Sequence, residues 1–319
     1  MGFDTSFHAV DTTLVQSRLL PYLAGQGSDH DLDDLIGRAV ALRRVRFRAK
    51  AWALGALQAA KELGIEEFDT DLLVWGRPFF VVADGPERVV DGVARYLVTP
   101  LDGVDALARE MAARLDPRLA AAMEPDQSGK LPDDEELADQ IGWRMRLLRA
   151  SGAAVRSGDG TVRDGASEHD PVQLLRREVP FSVLEFAAAL TPGWMSRGYT
   201  WPTALCVAAG VPAPGFGEPS PLFAPLRAEF PGIDWFSEPT ITENYMVGGY
   251  VAAADVPAAR AGLTGQREAL LAPPRGEGWE EYCLANLGKI DEAMALATHL
   301  EFAFCEATEI YSGFEGNLN

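Results

Sequence analysis

The sequence predicts an α+β fold in which short, mainly antiparallel strands are flanked by three or four long helices, with a long irregular segment rich in proline and aromatic residues. Three observations predict it. Short apolar runs end at aspartates that open helical patterns. Helical periodicity is sustained over much longer stretches elsewhere. Strands and helices do not alternate steadily enough for a parallel sheet with crossover helices. The composition, 47% hydrophobic and 24% charged over 319 residues, is a globular balance. One compact unit over residues 1–319 is expected, with an internal loop at 151–171 and a weaker alternative boundary near 124–132.

From Phe3 to Val10 the chain reads as a strand. Phe3, Thr5, Phe7 and Ala9 fall on one face, and Asp4, Ser6, His8 and Val10 on the other. Asp11 then stands where a helix cap belongs, followed by Leu14, Leu19, Leu20 and Leu23. The same grammar recurs twice. Residues 72–75 and 79–83 form apolar runs around the turn Trp75-Gly76-Arg77-Pro78, after which Asp84, Pro86 and Glu87 open a helix to Leu97. Residues 245–254 read as a strand interrupted by Gly248-Gly249, with Asp255 and Pro257 opening another helix. The longest helical pattern covers 32–63, with Leu35, Ala39, Leu42, Val45, Ala49, Trp52, Ala56 and Leu63 near one stripe. Further helices are expected at 133–148 and 284–311, the latter with an apolar stripe ending in Phe304 and Ala307.

Two stretches show no periodicity. Residues 151–171 are rich in Gly, Ser and Asp and read as an exposed loop. Residues 192–239 hold nine of the 21 prolines together with eight aromatic residues, and read as ordered but irregular.

A net charge of −19 opposes binding to nucleic-acid phosphates and to anionic membranes. Residues 1–8 carry no basic start and no apolar run, so the expected location is cytoplasmic. Twenty-four arginines against four lysines suggest a GC-rich bacterial genome. Cys206, Cys283 and Cys305 lack knuckle or redox spacing and read as reduced thiols. His8, His30, His169 and His299 are scattered, so no metal site is expected, although His299 and Glu306 would share a face of one helix. Neither a dinucleotide fingerprint nor a phosphate loop is present, and no cofactor is expected.

The expected functional surface is the 192–239 segment, where Trp194, Arg197, Tyr199 and Trp201 would stack on a planar ligand and hold an anion. The alternative is that these aromatics cover a sheet as core. Arg77 in its turn is a further anion anchor, and Tyr245 a further ligand contact. His8 and Glu243 are the candidate general bases, against the plainer readings of an edge strand facing water and a solvated turn. Arg38, Arg43, Arg44, Arg46, Arg48 and Lys50 make a basic island that either receives an anion or balances nearby acids. The expectation is a bacterial cytosolic binding or interaction protein, of immunity or regulatory type, acting on a small molecule or a basic protein partner. The alternative is a cofactor-independent enzyme in which His8, Glu243 and the 194–201 aromatics converge on one pocket.

Overall fold

Both faces of the first strand are buried, and the rest of the architecture follows from that. In the computed structural model, which describes residues 4–65, 86–191, 193–197, 200–235, 240–272, 279–308 and 310, the strand Asp4–Val10 (β1) is interior. It pairs antiparallel with Gly193–Arg197 (β4) on one side and Ala303–Thr308 (β6) on the other. A hairpin, Val162–Asp164 (β2) with Ser167–His169 (β3), stands apart as its own two-stranded sheet. Val247–Val251 (β5) pairs with β6 and completes the order β4-β1-β6-β5. The α+β prediction holds among the described residues, with short antiparallel strands and more helices than the sequence suggested. The polar face of β1 meets helices, not water.

Register sets what each face carries. Phe7 stands opposite Trp194 and Glu306, whereas His8 stands opposite Gly193 and Cys305. Phe7, Ala9, Trp194 and Phe304 join one apolar cluster, and Val10, Ala303, Cys305, Ala307 and Val247 join the other. Helix layers cover each face, because a sheet apolar on both sides must bury both.

The helices, in chain order, are α1 (Asp33–Leu63), α2 (Pro86–Leu97), α3 (Val104–Leu115), α4 (Pro117–Ala122), α5 (Asp134–Ser157), α6 (Pro171–Leu190), α7 (Pro202–Ala209), α8 (Ser220–Glu229), α9 (Val256–Gly265), α10 (Arg267–Leu271) and α11 (Trp279–Leu300). Residues 12–23 form a short helical segment with a π-helical middle, started by the Asp11 carboxylate accepting from Leu14 N–H. With 31 residues, α1 is about 46 Å long, enough to serve both layers. Its first half puts Leu35, Ile36, Ala39 and Val40 into one cluster, and its second half puts Val45, Ala49, Trp52 and Ala56 into the other.

The basic island lies on α1, and much of it is tied to neighbouring helices. Arg48 forks onto Asp105 of α3 through two bonds of 2.7 Å, and Trp52 Nε1 donates to the same carboxylate at 2.7 Å. Arg44 pairs with Asp134 of α5. Arg46 is buried and donates to the Ala188 carbonyl of α6 at 3.1 Å.

Three sequence expectations are corrected. Residues 151–157 are the last two turns of α5, and 162–169 form the β2–β3 hairpin, so little of 151–171 is irregular. Small residues there let α5 pack closely: a side chain at Gly152 would press within 3.0 Å of Phe230 and of the Leu23 carbonyl. In 192–239 the prolines begin helices as well as interrupting structure. Pro202 is the first residue of α7 and Pro221 the second of α8, positions whose N–H has no intrahelical partner in any case. The helix expected over 284–311 stops at Leu300, and residues 303–308, which carry Phe304 and Ala307 of the expected stripe, become β6. Glu301 takes a left-handed conformation (φ 56°) that turns the chain. The expected strands at 72–75 and 79–83 lie outside the described residues.

Among the described residues, no helix is long and apolar enough to cross a membrane.

Candidate functional site

The best-formed site lies where the start of α6 meets the loop that leads into β5. Asp170 caps α6, its carboxylate accepting from Val172 N–H at 2.8 Å and Gln173 N–H at 3.1 Å. This fixes the first two turns, which present Gln173, Leu174, Arg176, Arg177 and Glu178. Across from them runs Glu243-Asn244-Tyr245-Met246. Met246 N–H donates to Thr308 Oγ1 at 2.9 Å, and its carbonyl accepts from Thr308 N–H at 3.1 Å, so β6 anchors the loop. Together with His169 and Asp170 these residues line an open cleft of about 530 Å³.

Tyr245 is the unusual member. It sits at φ 58°, a conformation rare for a bulky side chain, at a cost of about 1–3 kcal/mol. The residue is 55% exposed. It also meets the buried Phe181 ring edge-on at 5.5 Å between centroids. The loop therefore holds an aromatic ring at the cleft wall in a backbone geometry that glycine or asparagine would adopt more easily.

The charges in the cleft are of both signs, and three of them have partners other than the 243–246 wall. Arg176 pairs with Asp234 at 3.2 Å, Glu178 with Arg144 at 2.9 Å, and Asp170 holds its two amides. Arg177 and Glu243 instead face each other from the two walls, at 3.4 Å. Both are well exposed, so the pair contributes about 0–1 kcal/mol and opens at little cost.

The residues singled out in the sequence fall in several places. Glu243 and Tyr245 line this cleft. Trp194 and Trp201 are core: their ring N–H groups donate to Glu292 and to the Ala307 carbonyl, each at 2.9 Å. Arg197 occupies the β4 position opposite Asp4. Arg77 and Tyr199 lie outside the described residues. His8 is buried, and neither ring nitrogen has a hydrogen-bond partner among the described residues. Burial, with Arg46 nearby, pushes its pKa down to about 3, so the ring is neutral. Glu243 is exposed at the cleft while His8 is inside the sheet, and the two do not share a pocket. Nor does His299 share a helix face with Glu306, which lies on β6.

Sequence reasoning missed two things. One is the α6 wall, since charged residues at the start of a helix give no signal of what they will face. The other is the setting of Glu306, expected on a helix beside His299 and found as a carboxylate buried within the sheet. It accepts from Thr203 N–H (2.7 Å), Thr203 Oγ1 (2.6 Å) and Gly249 N–H (2.9 Å), joining β6 to α7 and β5. The β5 irregularity at Gly248-Gly249 accommodates this group, because a Cβ at either glycine would sit 3.0 Å from Glu306 Oε2. Burial pushes the Glu306 pKa up to about 7, with the three donors pulling the other way. The same burial, with Glu306 adjacent, raises the Cys206 thiol to about 11, which leaves it unreactive at neutral pH. The glycine pair was the available signal, and its spacing from a distant glutamate was not legible.

Among the described residues, no group of three or more His, Cys, Asp or Glu side chains is placed to hold a metal ion. No protein-family model, curated protein or solved structure matches the chain, so the chemistry of the cleft is read from its own residues.

Proposed function

We propose that this chain is a binding protein for a small molecule, and that its site is the cleft between the start of α6 and residues 243–246. The observation that carries the reading is Tyr245, an exposed aromatic ring held in a strained backbone beside an ion pair that opens easily. Strain of this kind clusters at ligand contacts, where it persists because the surroundings enforce it. The expected 192–239 surface supports the reading less well, because Trp194, Trp201, Phe223 and Phe230 are spent in the core. The enzyme reading, with His8 or Glu243 as general base on a small anionic or planar substrate, needs them to converge with the 194–201 aromatics on one pocket, and the buried His8, Trp194 and Trp201 do not favour it. Composition alone supports a bacterial cytosolic setting and a regulatory role. Tight contact with nucleic acid is disfavoured by the net charge of −19.

A ligand-observed NMR screen of small fragments tests this reading. Fragments should bind the wild type and lose binding to Tyr245→Ala, with thermal unfolding confirming that the variant is folded. Binding that Tyr245→Ala leaves intact, or no binding by any fragment, would overturn it.

A further inference from the structure

We infer that the cleft ligand is a small zwitterion of the α-amino-acid kind, carrying a carboxylate and an ammonium group close together beside an apolar or aromatic side chain. This rests on the cleft being a binding site and adds the chemical class. The cleft charges differ in where their partners lie. Asp170 accepts both α6 amides through Oδ1, Arg176 pairs with Asp234, and Glu178 pairs with Arg144. Arg177 and Glu243 pair with each other across the cleft, one from each wall, with opposite sign and 3.4 Å apart.

A purely anionic ligand would satisfy Arg177 and leave the Glu243 carboxylate facing added negative charge. A purely cationic ligand would do the reverse to Arg177. A zwitterion replaces the existing pair with two new ones: its carboxylate accepts from the Arg177 guanidinium, and its ammonium donates to the Glu243 carboxylate. No net charge enters or leaves the cleft. Asn244 and Gln173 supply neutral donors and acceptors beside these groups, and Leu174 with the Tyr245 ring supplies the apolar surface for the ligand side chain. Both charged residues are more than 60% exposed, so truncating them leaves the core intact.

Isothermal titration with three matched probes, phenylalanine, phenylpropanoate and phenethylamine, tests the class. Phenylalanine should bind at least about tenfold more tightly than either singly charged probe, and Arg177→Ala or Glu243→Gln should each abolish that advantage. Phenylpropanoate binding as tightly as phenylalanine, with Glu243→Gln silent, would overturn the zwitterion and leave the cleft as a binding site for anions. Failure of all three probes, while other fragments still depend on Tyr245, would also overturn it. Only the absence of any Tyr245-dependent ligand would take the binding reading down as well.

Discussion

Glu306 and His8 face opposite sides of the same two paired strands, and burial pushes each away from its charged form. The consequence is a cancellation. The Glu306 pKa rises from 4.5 to about 7, so folding takes up a proton there between those values. The His8 pKa falls from 6.5 to about 3, so folding releases a proton across that interval. The contribution of Glu306 is complete below pH 4.5 and lost as pH rises towards 7. That of His8 is complete above pH 6.5 and lost as pH falls towards 3. Between 4.5 and 6.5 the two slopes oppose each other. Glu306→Gln should therefore expose the His8 slope, with stability rising by up to about 1.4 kcal/mol per pH unit in that window. His8→Leu should expose the opposite slope, with stability falling as pH rises. Urea unfolding at a series of pH values measures both, and a Glu306→Gln profile parallel to the wild type would refute the pairing. At Tyr245 the backbone strain implies that Tyr245→Gly changes stability little, within about 1 kcal/mol, because relief of strain offsets loss of the Phe181 contact. Fragment binding should nonetheless vanish. A loss of several kcal/mol on chemical denaturation would show that the ring serves the fold instead. Residues of this kind were only half legible. Glu243 and Tyr245 were visible as a polar pair entering a strand, but Arg177, 66 positions away in sequence, was not.

At the level of elements, the sequence indicates where helices begin better than where they end. Asp133 caps α5 through its side chain where the sequence placed a helix start, whereas the Asp170 cap of α6 fell inside an expected loop. The 284–311 pattern failed at its end because a strand buried on both faces lacks polar alternation, and Phe304 and Ala307 therefore extended the helical stripe. The turn at Glu301 decides the matter, and a bulky left-handed residue there predicts that Glu301→Gly raises stability by about 1 kcal/mol. Thermal unfolding that shows no gain would contradict the strain argument. The α1–α3 junction makes a second test. Asp105 accepts from Arg48 and from Trp52, and its pKa is lowered chiefly by the Arg48 hydrogen bonds. Asp105→Ala should cost about 1–3 kcal/mol by leaving the Trp52 donor unsatisfied. A cost within error of zero in urea unfolding would mean that water replaces the carboxylate without penalty.

Across the whole molecule, a charge of −19 coexists with arginines whose positive ends are largely spoken for. Arg44 and Arg48 bind α1 to the helices beside it, and Arg46 donates to an α6 carbonyl. The basic island seen in the sequence is thus mainly a set of interhelical ties. Likewise the aromatic-rich 192–239 segment supplies core to both faces of the sheet through Trp194, Trp201, Phe223 and Phe230. Composition alone could not separate a binding surface from a core segment, since aromatics serve both and only exposure distinguishes them. The proposed binding site is therefore the cleft at the head of α6 and not this segment. Backbone amide shift mapping during titration with phenylalanine tests that placement most directly. The account predicts saturable shifts concentrated at 169–178 and 243–246, with 201–209 and 220–235 unmoved. Shifts concentrated in 201–235, or no saturable shift at the cleft with phenylalanine or with any fragment, would contradict it.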